Sequence, residues 1–155
     1  ASDVYKRQIK AAGGVVVSGE RILFIKKNGR WEFPKGRLKK GANRKKTAIR
    51  EICEETGIKK KEISILNPLI PTHHHNKVSG STLVKETFWF LIKYLGNPKK
   101  KLTPEKREGI PKGKWFSLSE RVITLKDSRP QTHYLLEFVL NDPSYKNYIK
   151  TKKNK

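Results

Sequence analysis

The segment Gly36–Ile58 reads GRLKKGANRKKTAIREICEETGI, and its last nine residues are REICEETGI. Its three glutamates, Glu51, Glu54 and Glu55, lie close together in a chain with 36 Lys and Arg residues against 14 Asp and Glu residues. Residues three and four positions apart share one face of an α-helix, so a helix here would place the three carboxylates on one side.

We predict this helix from about residue 43 to residue 56. Asn43 is suited to cap its N-terminus, and Gly57 is suited to end it in the left-handed conformation. The opposite face is apolar and should be buried. It consists of Ala48, Ile49, Ile52 and Cys53.

Helix propensity does not explain the acidic cluster. Like charges four residues apart cost an isolated helix about 0.2–0.5 kcal/mol per pair. A divalent cation would explain it, because Mg²⁺ prefers oxygen ligands and is typically held by one or two carboxylates together with substrate phosphates. Composition alone leaves open the alternative of a solvated acidic face.

The spacing of the segment resembles the Nudix box, G-x5-E-x7-R-E-U-x-E-E-x-G-U with U aliphatic, the signature of the Nudix (MutT-like) hydrolases. Ala42 departs from this pattern, because it stands where the pattern has its first glutamate. The matching residues are Gly36, Arg50, Glu51, Ile52, Glu54, Glu55, Gly57 and Ile58.

The resemblance implies an α/β fold, the Nudix α/β/α sandwich, in which a mixed β-sheet lies between helices. It also implies a hydrolase that depends on Mg²⁺, with Mn²⁺ as the alternative, and cleaves a phosphoanhydride of a nucleoside diphosphate linked to another moiety. Glu51 and Glu55 would bind the metal, and Glu54 would share this role or orient the attacking water. Arg50 would hold these carboxylates in register. The family glutamate absent at Ala42 commonly supports the arginine or a water on the metal, so its loss affects the rate more than the chemistry.

The sequence before the box, Phe33 to Arg37, resembles the F-P-x-G approach of the family. A phosphate chain held at the glutamates would pass beside Lys35, Gly36 and Arg37, which are therefore candidate substrate-binding residues. Of the twelve residues from 35 to 46, seven are basic and none is acidic. Ordinary solvated loop charge is the alternative interpretation.

The run from Glu108 to Trp115 resembles the loop before a late tryptophan strand in MutT-like enzymes. A glutamate of that loop often reaches the metal or acts as a base in the family. Glu108 is therefore a third catalytic candidate beside Glu54 and Arg50, with Glu105 near it, and an exposed surface glutamate is the alternative.

The remaining pattern predicts one domain over residues 9–142. We exclude residues 1–8 as a non-native or truncated start and expect the basic tail, 143–155, to fray. The region from 95 to 114 should be loop, and Ser119 should cap a short helix. The predicted strands are 9–17, 21–27, 31–33, 63–70, 81–94 and 115–118, and a C-terminal helix is predicted at 131–140.

Two short features allow more than one interpretation. Gly13 and Gly14 permit either a β-bulge, which is the commoner case, or close approach of a substrate. The triplet His73–His75 cannot bind one metal ion on a strand, because adjacent side chains point to opposite faces. We expect one of these histidines to line the substrate pocket, before a turn at residues 76–80.

The formal net charge of +22 indicates an anionic partner, such as a polyphosphate or a nucleic acid bound through the basic surface. The alternative is a general bias toward lysine. The single cysteine, Cys53, argues against a disulfide framework and for a cytoplasmic setting. No apolar run is long enough for a membrane span. The oligomeric state is not predicted.

The substrate prediction depends on a second resemblance. The hairpin from His73 to Tyr94 resembles the branches of the family that act on dinucleoside polyphosphates and diphosphoinositol polyphosphates, and we favour the former. Alternatives are a triphosphorylated or capped RNA 5′ end, damaged nucleotides, or binding of RNA or another polyanion by a catalytically weakened Nudix-fold protein. The predicted basic rim of the substrate pocket consists of Lys35, Arg37, Lys39, Lys40 and Lys85.

Overall fold

The computed structural model describes residues 6–104, 112–117, 119–120 and 126–153. Within these residues a mixed sheet of eight strands lies between helices on its two faces, as predicted. The strands are β1 Lys6–Ser18, β2 Arg21–Lys27, β3 Arg30–Glu32, β4 Lys35–Arg37, β5 Ile63–Pro68, β6 Thr72–Val78, β7 Ser81–Tyr94 and β8 Lys112–Phe116. The helices are α1 Arg44–Thr56, α2 Pro130–Asn141 and α3 Pro143–Lys153, with a 3-10 turn at Lys60–Glu62.

The centre of the sheet is the parallel pair β1 and β7, which are in register from Lys6 opposite Thr82 to Val17 opposite Lys93. On its other edge β1 has two antiparallel partners in succession. Its residues 11–13 pair with β4, and its last two residues pair with β2. The sheet therefore divides between β2 and β4, beside α1.

Gly13 and Gly14 lie where this division begins. The Gly14 amide donates a hydrogen bond to the Pro34 carbonyl oxygen at 3.1 Å. A Cβ atom on Gly13 would lie 2.3 Å from the same oxygen, which is too close for any side chain. The close approach that these glycines allow is therefore made by the chain itself, at the segment that leads into β4.

Alternate residues of β1 pack against helices on opposite faces of the sheet. Val15 and Val17 share a core with α2 and α3, whereas Ala12 and Val16 share a core with α1. The same holds for β7, whose residues 89–92 are all buried. β7 is therefore a central strand covered on both sides.

Both ends of the domain differ from the sequence-based expectations. Residues 6–8, which we excluded from the fold, pair with residues 82–84 of β7. The tail expected to fray forms α3, in which Tyr145 is buried and the Tyr148 hydroxyl accepts a hydrogen bond from the Gly19 amide at 2.8 Å. Tyr145, Tyr148 and Ile149 are spaced as one apolar helical face, and their burial stabilises the helix despite its lysines.

Several boundaries also shift. Residues 35–37, which no predicted strand covers, form the short strand β4. β6 continues to Val78, so the turn after it contains only Ser79 and Gly80. β5 ends at Pro68, β3 lies one residue earlier than predicted, and β8 begins at Lys112 inside the predicted loop. The helix predicted after Ser119 falls largely outside the described residues.

Candidate active site

Caps at both ends fix the position of α1. The Asn43 side chain accepts a hydrogen bond from the Lys46 amide at 3.0 Å. Gly57 adopts a φ of 78°, and its amide donates to the Cys53 carbonyl oxygen at 2.8 Å. Both predicted caps are therefore present, and the helix between them packs on β1 and β4.

The three glutamates of α1 are buried to different extents. Glu51 and Glu55 are only 6% and 1% exposed, whereas the side chain of Glu54 is 31% exposed. Within the described residues, no three Asp, Glu, His or Cys side chains form a group that would hold a metal ion. The arrangement is a buried pair of carboxylates with a third, more exposed carboxylate on the same helix.

Glu55 joins the two strands that border the division in the sheet. Its Oε1 atom lies 3.1 Å from the Nζ atom of Lys27, the last residue of β2. Its Oε2 atom accepts a hydrogen bond from the backbone amide of Lys35, the first residue of β4, at 3.2 Å. Both carboxylate oxygens thus have hydrogen-bond donors, which offsets the cost of burying this charge.

Glu51 lies directly over Gly36 of β4. A Cβ atom on Gly36 would be 1.9 Å from the Glu51 carboxyl carbon, so only glycine fits beneath this carboxylate. Arg50 links the glutamates along the helix: its Nη2 atom lies 3.4 Å from Glu51 Oε1, and its Nε atom lies 3.9 Å from Glu54 Oε1. Holding these carboxylates in register stays the role predicted for Arg50.

The site has the donor chemistry of a hard divalent cation. Its ligands are carboxylate oxygens, and Mg²⁺ is commonly held by one or two carboxylates plus substrate phosphates. The buried carboxylate of Glu55 already lies next to one positive charge, the Lys27 ammonium group. Because Gly36 has no side chain, the Glu51 carboxylate lies close to the backbone of β4. The carboxylates of Glu51, Glu54 and Glu55 are therefore of the ligand type that Mg²⁺ and Mn²⁺ prefer.

A cavity of about 360 Å³ shares two lysines with the surroundings of Glu55. Lys27 and Lys35, which contact Glu55, also line the cavity, together with Lys85 of β7 and Arg129 before α2. One acid in the lining, Glu32, lies 3.6 Å from the Lys35 ammonium. Cations thus outnumber acids in the lining, which favours a polyanionic ligand.

Burial and mutual repulsion act on the cations of the cavity. Burial, followed by the nearby charge of Lys35, lowers the pKa of Lys85 to about 8. An anion entering the cavity would relieve this repulsion by accepting hydrogen bonds from the protonated ammonium groups.

The histidine triplet divides as expected for a strand. His74 lines the cavity, and its Nε2 atom lies 3.2 Å from the Arg129 Nη1 atom. Burial, then the Arg129 charge, lowers the pKa of His74, so this ring is neutral at pH 7 and accepts a hydrogen bond from the guanidinium. His73 instead lies 2.9 Å from the Glu86 carboxylate.

A second concavity, of about 450 Å³, adjoins the cavity at Ile9, which lines both. We call it the basic groove. Ala42, the residue that replaces the family glutamate, also lines it. Its cationic residues are Lys10, Arg37, Lys39, Lys40 and Arg44. The predicted single rim is therefore two surfaces, with Lys35 and Lys85 in the cavity and Arg37, Lys39 and Lys40 in the groove.

Two cavity cations were missed from the sequence. Lys27 and Arg129 lie far from the box in the chain, and in so basic a sequence a single Lys or Arg carries no signal. The catalytic candidate Glu108 and its neighbour Glu105 lie outside the described residues.

Comparison with known proteins identifies a family. The model of the NUDIX domain matches residues 7–137. The "Putative mutator protein MutT4" of Mycobacterium tuberculosis is 32% identical over 98 residues, which are 56% of this chain and 38% of that protein. The chain thus spans well under half the length of this relative.

Solved structures show the same fold at lower identity. The C. elegans Ap4A hydrolase binary complex superposes with a TM-score of 0.63 at 21% identity, covering 92% of this chain and 98% of that one. The Francisella tularensis bifunctional NMN adenylyltransferase/ADP ribose pyrophosphatase, complexed with AMP and a Mn ion, gives a TM-score of 0.63 at 15% identity. This match covers 88% of our chain and 42% of that one. Across the described residues, no helix has the length and apolar character to cross a membrane.

Proposed function

The chain belongs to the Nudix family, and from this premise we propose that it is a metal-dependent hydrolase of a phosphoanhydride bond in a nucleoside diphosphate linked to another moiety. One observation carries the proposal. Lys27 and Lys35 contact the buried carboxylate of Glu55 and also line a cavity with further cations, and the buried carboxylate of Glu51 lies one helical turn before Glu55 on α1. A phosphate chain in this cavity would extend toward the carboxylates.

Glu51 and Glu55 would hold the metal, with Glu54 sharing this role or orienting the attacking water. When bound, Mg²⁺ would neutralise phosphate charge and lower the pKa of a coordinated water. Glu54, 31% exposed, is accessible to that water as a proton acceptor. Arg50 keeps Glu51 and Glu54 in register through the contacts on either side of its guanidinium.

The cavity cations would bind and orient the substrate. Arg129 offers a planar guanidinium suited to two phosphate oxygens at once, and its contact with neutral His74 fixes its position. Lys35 and Lys85 add charge-assisted hydrogen bonds, each stronger than one between neutral groups. Because every added phosphate gains such contacts, we favour a dinucleoside polyphosphate over substrates with a shorter phosphate chain.

A comparison of substrates tests the function. We would measure kcat/KM at fixed salt, with Mg²⁺ and with Mn²⁺, for a dinucleoside tetraphosphate, a diphosphoinositol polyphosphate, a 5′-triphosphorylated RNA and a nucleotide sugar. The dinucleoside tetraphosphate should be the best substrate. If the nucleotide sugar were better by tenfold, which is about 1.4 kcal/mol of transition-state discrimination, the polyanion assignment would be wrong.

Ala42→Glu should raise kcat/KM by about 10–100-fold, the usual effect of a carboxylate that supports a metal site from outside its ligand set. Ala42 is exposed, so the longer side chain has room. Ala42→Gln, which adds the length without the charge, is the control. Equal rates for both variants and the parent protein would mean that another acid already fills the role, and Glu108 and Glu105 would be replaced next.

Anion affinity in the cavity should fall as the pH rises through about 8. The pKa of Lys85 is lowered to about 8, and only its protonated form donates a charge-assisted hydrogen bond to phosphate. We expect the affinity for a non-hydrolysable dinucleoside polyphosphate to fall about tenfold between pH 7 and pH 9.5, measured by calorimetry. Lys85→Arg should remove most of this decline, because arginine stays charged.

The control for this substitution is Lys77→Arg, the same chemical change at an exposed position of the neighbouring strand. It should keep the parent pH profile.

The stability of the ligand-free protein should show the opposite trend. Because the Lys85 pKa is lower in the folded state than in the unfolded state, the unfolded chain binds more protons between about pH 8 and pH 10.5, and this group's contribution to stability rises with pH in that window. A parallel loss of affinity in the Lys85→Arg protein would contradict the assignment.

A further inference from the structure

The basic groove is a concentration of positive charge even by the standard of this chain. Its ten described lining residues include five cations and no acid. An acid close by, Glu86, lies opposite Lys10 in the sheet, and its carboxylate is 2.9 Å from His73. The replacement of the family glutamate by Ala42 contributes to this composition, because a glutamate at that position would put a negative charge into the groove.

The groove also has features that charge alone does not provide. The Arg44 guanidinium lies over the ring of Phe88, 3.6 Å from its centroid, which holds a planar cation in a fixed position. Arg44 itself is exposed, so its other face is accessible. Ile9 and Leu38 add apolar surface to the lining. Cations, a flat guanidinium and apolar surface are thus combined within one concave site.

We infer that the basic groove binds a single strand of RNA, with Lys39 and Lys40 on its phosphates and a base stacked on the exposed face of Arg44. Guanidinium planes are common stacking surfaces for unpaired bases, and lysine contacts to the backbone are insensitive to sequence. A concavity of about 450 Å³ suits a splayed nucleotide better than a flat lipid surface. Stacking requires an unpaired base, which excludes a regular duplex.

The test is equilibrium binding of a 3′-labelled RNA of about 12 nucleotides that carries a 5′-hydroxyl. This RNA contains no phosphoanhydride, so its binding does not depend on the proposed hydrolysis. Lys39→Gln/Lys40→Gln should weaken binding about tenfold. It should also reduce the slope of log affinity against log salt by about 1.4, the value for two lost phosphate contacts on a single strand. The control is Lys146→Gln/Lys150→Gln, which removes the same charge from exposed positions of α3 and should change affinity by less than about twofold.

Arg44→Lys tests the stacking. It keeps the charge and loses the guanidinium plane, so affinity should fall about fivefold or more while the salt slope stays the same. Thermal unfolding of each variant checks that it is folded. The inference is overturned if the α3 variant loses as much affinity as the groove variant. It is also overturned if Arg44→Lys binds as tightly as the parent protein. A third contradicting result would be displacement of the labelled RNA by a poly-glutamate peptide of equal charge as effectively as by unlabelled RNA. A protein that binds this RNA as described and hydrolyses none of the four test substrates would refute the proposed function and leave this inference intact.

Discussion

Glu55→Gln should lower metal-dependent kcat/KM by at least about a hundredfold, which is the loss expected when one charged group that stabilises a phosphoryl transition state is removed. Glutamine has nearly the same shape, so the space filled by this 1% exposed side chain stays filled. The amide can still accept the hydrogen bond from the Lys35 backbone. What it lacks is the negative charge that a divalent cation requires, so the affinity for Mn²⁺ should fall together with the rate.

Stability separates this effect from misfolding. Lys27 loses its ionic partner in the variant, but its side chain is 39% exposed and can be solvated. The free energy of unfolding should therefore fall by only about 1 kcal/mol, as measured by urea denaturation. Glu137→Gln, the same change at an exposed position of α2, is the control for both assays. If Glu55→Gln hydrolysed the substrate at the parent rate, the metal assignment would be wrong.

The sequence predicted α1 well because its determinants are local. The caps Asn43 and Gly57, the apolar stripe and the spacing of the glutamates all lie within one short segment, and each has a stereochemical reason to favour a helix. The same holds for β7, whose β-branched and aromatic residues predicted its bounds. The box resemblance then connected these elements to a fold.

The surroundings of the carboxylates could not be predicted in this way, because they depend on contacts between distant parts of the chain. Lys27 reaches Glu55 only because the sheet divides between β2 and β4. Arg129 reaches the cavity only because α2 begins beside β6, where it meets His74. These contacts cannot be derived from the spacing of residues along the chain.

The tail and the basic rim show a different limit. The sequence spaces Tyr145, Tyr148 and Ile149 as an apolar helical face, but the many lysines around them favoured the prediction of a frayed tail. Charge alone groups the rim residues into one surface, whereas the structure places Lys35 and Lys85 in the cavity and Arg37, Lys39 and Lys40 in the groove. Charge in a sequence indicates a class of partner, and only the fold assigns each charge to a surface.

Gly36→Ala should be as damaging to activity as loss of a metal ligand, although it adds only one methyl group. Gly36 does not adopt a positive φ, so alanine costs nothing in backbone strain. Its Cβ atom, however, would lie 1.9 Å from the Glu51 carboxyl carbon and 2.1 Å from its Oε2 atom. The carboxylate must therefore move by about an ångström or more, and a displacement of that size typically costs about a hundredfold in rate.

Two further variants establish that the displaced carboxylate is the cause. Glu51→Asp shortens this side chain by one methylene, so the Gly36→Ala/Glu51→Asp protein should be more active than the product of the two single effects predicts, which a double-mutant cycle measures. Gly29→Ala is the control for a general glycine effect. It has a φ of 75° with open space around it, so alanine there should lower stability by about 1 kcal/mol and leave kcat/KM unchanged. Strict additivity of the Gly36 and Glu51 substitutions would show that the loss of activity arises elsewhere than in the contact between Gly36 and the carboxylate above it.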